Sequence, residues 1–167
     1  MATKADFTAE EWEALRDAPH LVMLSVATAG FSGPIGSIKE AFAPAGAIVE
    51  AAKGNDELLR GVCDREELKA AQHSLRSSIK ISGDAKALRD EIQNAAAERA
   101  AAAVAILKQK GSPEDLNAYR QLLIDIADRT ANAAKEGSFL GFGGERVSEG
   151  ERAVIQRLSQ ALEIQQA

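Results

Sequence analysis

Residues 21–38 read LVMLSVATAGFSGPIGSI, eighteen positions without one charged side chain. After a single charged pair at 39–40, the chain is again uncharged as far as Val49. The apolar part before Gly30 leaves no polar stripe, which is typical of a helix that is buried on most sides. The glycines and Pro34 that follow interrupt any regular helix. We therefore expect residues 21–49 to form a buried apolar helical hairpin near the N-terminus.

The rest of the composition predicts helices packed around this hairpin. The chain has 167 residues and a mass of 17.7 kDa, enough for one domain spanning residues 1–167. It contains 33 alanines and only 4% aromatic residues, and alanine favours helices that approach one another closely. No strand-length segment alternates Val or Ile with polar residues. The predicted fold is an all-α, single-domain helical bundle of about six to eight helices.

Capping signals place the first helix. Thr8 precedes Glu11 by three residues, the spacing of a capping box, and Phe7 is positioned to pack on Trp12 as a hydrophobic staple. Proline lacks an amide hydrogen and disturbs the helical hydrogen-bond ladder. We therefore expect Pro19 to separate this first helix from the buried one that follows.

Further helices are predicted from stop signals, caps and apolar spacing. The expected ranges are about 35–53 with a bend near Pro44, then 56–63, 64–79, 84–110, 113–134 and a last helix capped by Ser148. The longest, 84–110, places six apolar residues on one face, namely Leu88, Ile92, Ala96, Ala100, Ala103 and Leu107. Asp64 and Ser112 are the predicted N-caps of the helices that follow them.

The charge and the cysteine content of the chain indicate which binding partners and which cellular compartment are expected. The net charge of −5 and the pI of about 5.2 argue against general binding to nucleic acid or to anionic lipid. The lone Cys63 excludes a disulfide within the chain, suits a reducing compartment and is expected to be a small buried residue. Residues 1–13 are acidic and lack the apolar core of a signal peptide. These observations predict a cytoplasmic protein.

No motif predicts a reaction centre, a metal site or a cofactor site. His20 and His73 are the only histidines, and neither belongs to a zinc-protease or di-iron motif. The glycine-rich segment 137–144 lacks the Lys-Ser/Thr ending of a phosphate-binding loop and the third glycine of a dinucleotide fingerprint. No serine has the glycine spacing of a nucleophile elbow. We therefore predict no catalytic residue, no metal ligand and no cofactor.

The two glycine-rich segments carry the predicted interaction residues. Each contains apolar side chains that a loop of ordinary composition would not have, so they suit contacts with the core or with a partner. The six residues are Phe31, Pro34, Ile35, Phe139, Leu140 and Phe142.

Two segments share a helix-turn-helix pattern. The first runs Val26-Ala27-Thr28-Ala29-Gly30 and continues to Ile35 and Glu40; the second runs Gly143-Gly144-Glu145-Arg146-Val147-Ser148 and continues to Glu151, Val154 and Ile155. Both resemble the turn of the tellurite-resistance TerB-like family. The resemblance implies an all-α fold of six to eight helices and a stress-related or membrane-associated scaffolding role. The acidic residue of the family's turn, implicated in its cation binding, is replaced by Gly30 and Gly143, so metal binding does not carry over.

The leading hypothesis is a non-enzymatic cytoplasmic protein that binds another protein or itself through an apolar groove bordered by the two glycine-rich loops. One alternative is a membrane-active protein whose residues 21–49 leave the fold and insert into a bilayer. Another is a helical bundle that binds a small molecule or a metal. The solvent accessibility of residues 21–49 distinguishes the first two, because buried side chains give no reason for insertion.

Overall fold

The computed structural model describes residues 2–29, 46–79, 84–136 and 149–163. Within these ranges there is no strand, and a short 3-10 turn at Lys4–Asp6 precedes seven α-helices. They are α1 (Ala9–Ala29), α2 (Gly46–Lys53), α3 (Glu57–Val62), α4 (Arg65–Ser78), α5 (Ala85–Lys110), α6 (Pro113–Glu136) and α7 (Glu149–Ala161). The prediction of an all-α bundle is confirmed.

The start of α1 is fixed by the predicted cap. The Thr8 hydroxyl accepts a hydrogen bond from the Glu11 amide at 3.2 Å, and the Thr8 amide donates to the Glu11 carboxylate at 2.7 Å. The Phe7 ring lies 5.9 Å from the Trp12 ring, centroid to centroid. Both ends of the capping box and the hydrophobic staple are therefore present.

Pro19 lies inside α1 and does not end it, so the expected break at this position was wrong. A proline has no amide hydrogen to donate to the carbonyl group four residues earlier, which here belongs to Leu15. The hydroxyl group of Tyr119, in α6, donates to that carbonyl oxygen at 2.7 Å. The helix continues through the proline while a side chain from another helix supplies the missing donor.

Helix α1 is the centre of the bundle. From Ala14 to Val26 every side chain is buried except that of Arg16. The long helix α5 makes the largest contact with α1, and α6, α4, α7 and α3 also pack on it. The apolar stretch before residue 30 is therefore core, as its composition predicts.

The buried faces of α5 and α6 both follow helical spacing, which for α5 is the spacing predicted from the sequence. All six residues predicted for the α5 stripe are buried, from Leu88 through Leu107. On α6, Tyr119, Leu123 and Ile126 are buried, at intervals of four and three residues. Helical periodicity thus identifies the buried side of both long helices.

Three further helices, α3, α4 and α6, begin at side-chain caps. Asp56 accepts from the Leu59 amide, Asp64 from the Glu66 amide and Ser112 from the Asp115 amide. Helix α2 packs on α3 and α6 and buries Ala47 and Ile48. The predicted caps at Asp64 and Ser112 are confirmed.

Several predicted features lie outside the described residues. These are the turn of the N-terminal hairpin, the bend near Pro44, both glycine-rich loops and the cap at Ser148.

Candidate functional site

All six predicted interaction residues fall in the two ranges that are not described. Phe31, Pro34 and Ile35 belong to residues 30–45, and Phe139, Leu140 and Phe142 belong to residues 137–148. Their role in binding stays a prediction. The described helices contain a different candidate, formed where two helices pack on α1 without packing on each other.

This candidate is the groove between α4 and α5. Both helices rest on α1, but they make little contact with one another, so a channel remains between them. It has a volume of about 330 Å³. Its floor and walls are apolar at five residues, Leu21, Leu75, Ile79, Ala95 and Ala102. We call this feature the α4–α5 groove.

The α5 wall of the groove is one face of a helix. Glu91, Ala95, Glu98 and Ala102 line it at intervals of four, three and four residues, which places them in a row. The two alanines keep this wall shallow, so a backbone lying in the groove can approach α5 closely. Ala102 is exposed and Ala95 is half-buried.

Charged side chains border the groove and form no ion pair with the described residues around them. Glu91, Glu98 and Arg99 all line it, together with the hydroxyl-bearing Ser78. Elsewhere on the surface many charged groups are paired, as Lys86 is with Asp90 and Arg129 with Glu50. None of the three charged groove residues forms an ion pair or hydrogen bond with another residue that the structure describes. The groove therefore offers apolar surface bordered by charged side chains.

A second, smaller cleft lies between α6 and α7. Its volume is about 40 Å³, and Val22 of α1 lies in its floor, next in sequence to the Leu21 of the α4–α5 groove. The walls are mostly apolar, with Leu123, Ile124 and Ala127 from α6 and Ile155, Leu158 and Leu162 from the C-terminal region. Its small volume makes it a packing seam rather than a binding site.

A buried carboxylate of α1, that of Asp17, connects this helix to α4. The Asp17 carboxylate accepts hydrogen bonds from the Arg16 guanidinium at 2.8 Å and from the Ser74 hydroxyl at 3.2 Å. Arg16 also approaches Glu67, at 4.0 Å. Because these contacts join α1 to α4, they fix the position of one groove wall.

His20 and Cys63 are both buried and do not form a reactive pair. Neither ring nitrogen of His20 has a hydrogen-bond partner in the described part of the chain. Burial lowers the pKa of His20 to about 4, and the charge of Arg16 acts in the same direction. The carbonyl group of Arg16 opposes this shift without forming a hydrogen bond of normal geometry. Burial raises the pKa of the Cys63 thiol to about 12, as expected for a small core residue.

Within the described ranges, no group of three or more His, Cys, Asp or Glu side chains is arranged to hold a metal ion. The helices found there also include none that combines the length and apolar character needed to cross a bilayer.

No protein-family model matches this chain, and comparisons with characterised proteins and with solved structures give no match.

The sequence of α5 contains a second row of residues, beside its buried apolar stripe, that forms a wall of the α4–α5 groove. The row consists of Glu91, Ala95, Glu98 and Ala102. Reading that row as a binding wall requires knowing that α4 and α5 pack on the same central helix and leave a gap. The position of Leu21, 81 residues before Ala102, supplies that information only in the folded chain.

Proposed function

We propose that this chain is a non-enzymatic binding protein that takes a segment of a protein partner into the α4–α5 groove. One observation carries the proposal: α4 and α5 both pack on α1, yet leave an apolar channel between them, and the charged residues at its edges form no ion pair within the described part of the chain. A channel of this kind combines the apolar centre and polar rim of a protein interface.

The dimensions of the groove support a short and exchangeable contact. From Glu91 to Ala102 the α5 wall covers eleven residue steps, or about 16 Å at 1.5 Å per residue. A partner confined to this length buries less surface than a stable dimer usually requires. The proposed interaction is therefore transient, consistent with a role in recruiting or scaffolding another protein. The stress-related role and the cytoplasmic location inferred from the sequence remain predictions that such a role would suit.

The burial of α1 supports protein binding over membrane insertion. Leu21, Val22, Leu24 and Val26 lie in the core at no more than 2% exposure. Withdrawing this segment for insertion would remove the helix on which α3, α4, α5, α6 and α7 pack. Protein binding in the α4–α5 groove requires no such rearrangement.

The test compares two arginine substitutions one residue apart on α5. Ala102→Arg places a long charged side chain in the groove, whereas Ala101→Arg is a matched control because Ala101 is exposed and does not line the groove. Arginine is a good helix former, so neither change is expected to disturb α5. Quantitative affinity enrichment from the source cells, with both variants and the unmodified protein, measures partner binding, and sedimentation equilibrium measures self-association.

The expected result is a protein partner retained by the unmodified chain and by Ala101→Arg but lost with Ala102→Arg. A monomer that enriches the same proteins in all three forms would contradict the proposal. A small molecule that co-purifies with the unmodified chain and is displaced only by Ala102→Arg would instead support the small-ligand alternative, because about 330 Å³ also suits a small ligand.

A further inference from the structure

The spacing of the two carboxylates on the groove wall indicates what kind of segment the groove takes. Glu91 and Glu98 are seven residues apart on α5, which separates them by two helical turns and by about 10 Å along the axis. Between them lies Ala95, which leaves room for a neighbouring backbone. A helix laid along this wall would itself present side chains seven residues apart on one face.

Resting on the proposed function, we propose that the occupant of the α4–α5 groove is an amphipathic helix of another protein that carries two basic side chains seven residues apart. Its apolar residues lie between the basic ones and contact Leu75, Ile79 and Ala95. Its basic side chains pair with Glu91 and Glu98.

Charge complementarity carries this assignment. The two glutamates and Arg99 have no ion-pair partner among the described residues, and a bound helix with two basic residues would neutralise both carboxylates. Opposite charges across a groove favour one partner and orientation and exclude helices with acidic residues at the same positions. Arg99, next to Glu98, adds a place for one acidic side chain on the partner.

The seven helices that the structure describes do not supply the occupant. Within a single described helix, only Lys69 and Arg76 of α4 are basic residues seven apart. Gln72 and His73 stand between them, so this face has no apolar anchor. Lys69 is also already paired with Glu66 at 2.8 Å. No described helix of this chain therefore fits the groove, and we assign the occupant to a different protein.

The probe is a designed 15-residue helical peptide with a leucine seam, two lysines seven residues apart beside it and a fluorescent label. A matched peptide carries glutamates at the two lysine positions and is otherwise identical. Fluorescence anisotropy measures the Kd of each peptide at low and at physiological salt. We expect the lysine peptide to bind at least about tenfold more tightly than the glutamate peptide, with a preference that falls as salt rises.

Variants of the protein then show whether Glu91 and Glu98 cause the preference for the lysine peptide. The double variant Glu91→Lys and Glu98→Lys should reverse it in favour of the glutamate peptide, while circular dichroism verifies folding. Asp90→Lys is the control, because it makes the same change of charge as one of these two substitutions. Asp90 is exposed on α5 and does not line the groove. It should leave the preference within about twofold of the original.

Each alternative outcome is decisive. Equal binding of the two peptides, or no binding of either, overturns the charge-spaced helix as the occupant. In that case, loss of a cellular partner with Ala102→Arg alone would still support the proposed binding function. A dimer of the unmodified protein that dissociates with Ala102→Arg would overturn the assignment to another protein and identify a second copy as the occupant.

Discussion

The hydroxyl group of Tyr119 donates a 2.7 Å hydrogen bond to the carbonyl oxygen of Leu15, 104 residues earlier in the chain. Leu15 stands four residues before Pro19, so its carbonyl lacks the amide donor that an ordinary helix would provide. Burial raises the pKa of Tyr119, which keeps the phenol protonated and able to donate. The central helix can contain a proline because α6 completes its hydrogen bonding.

Replacing Tyr119 with phenylalanine is expected to destabilise the protein by about 1–3 kcal/mol. The substitution removes only the hydroxyl and leaves the buried Leu15 carbonyl without this donor. Urea unfolding followed by circular dichroism gives the difference in the free energy of unfolding.

A double-mutant cycle with Pro19→Ala shows whether the stabilising effect of the Tyr119 hydroxyl depends on the proline. Alanine restores an amide hydrogen at position 19 that can reach the Leu15 carbonyl, so the cost of Tyr119→Phe should fall by at least half in that background. An unchanged cost would mean that the tyrosine hydroxyl acts independently of the proline.

These relationships explain which parts of the fold the sequence could predict. The cap at Thr8, the buried side of α5 and the burial of Leu21 all follow from neighbours within a few residues, and all were predicted correctly. The continuity of α1 through Pro19 depends on a donor from α6. The local sequence shows that Pro19 removes an amide donor. It does not show that a side chain from another helix replaces that donor.

The candidate site was less predictable for a related reason. The sequence directed attention to apolar residues in glycine-rich loops, such as Phe31 and Phe139, because apolar loops are unusual. The α4–α5 groove instead arises from the packing order of the helices, which no local pattern encodes. Its charged residues, Glu91 and Glu98, look like ordinary solvent-exposed positions until α4 is placed beside them.

His20 is expected to make stability depend on pH between about 6.5 and 4. Its pKa is about 4 in the folded protein and about 6.5 as a free side chain, so the unfolded chain binds a proton first as the pH falls. The contribution of neutral His20 to the free energy of unfolding is complete above about pH 6.5. It is lost progressively as the pH falls to about 4, and the total loss is about 3 kcal/mol. His20→Leu should flatten this part of the curve of unfolding free energy against pH.

His73 provides the control, because it is the other histidine of the chain and its side chain is exposed on α4. His73→Gln should leave the pH dependence of the unmodified protein in place. Carboxylates with lowered pKa values, such as Glu11 and Asp115, remain in both variants and cancel in the comparison. Parallel curves for His20→Leu and the unmodified protein would contradict the assignment to His20.

The buried carboxylate of Asp17 should be more costly to remove than its hydroxyl partner. Asp17→Ala leaves the mostly buried Arg16 without its 2.8 Å acceptor and is expected to cost about 3–5 kcal/mol. Ser74→Ala removes only the 3.2 Å hydrogen bond and should cost about 1 kcal/mol. Chemical denaturation orders the two variants, and equal costs would show that the ion pair contributes nothing beyond the hydrogen bond.

Cys63 should react with thiol reagents only when the bundle opens. The side chain is 1% exposed, and burial raises its pKa to about 12, so the reactive thiolate is scarce in the folded protein at pH 8. Labelling with a chromogenic disulfide is expected to be at least about a hundredfold slower than in urea-unfolded protein. If opening is fast relative to labelling, Tyr119→Phe should raise the rate by about fivefold or more, because its loss of stability increases the open population. Labelling of the folded protein at the unfolded rate would show that Cys63 is accessible without opening.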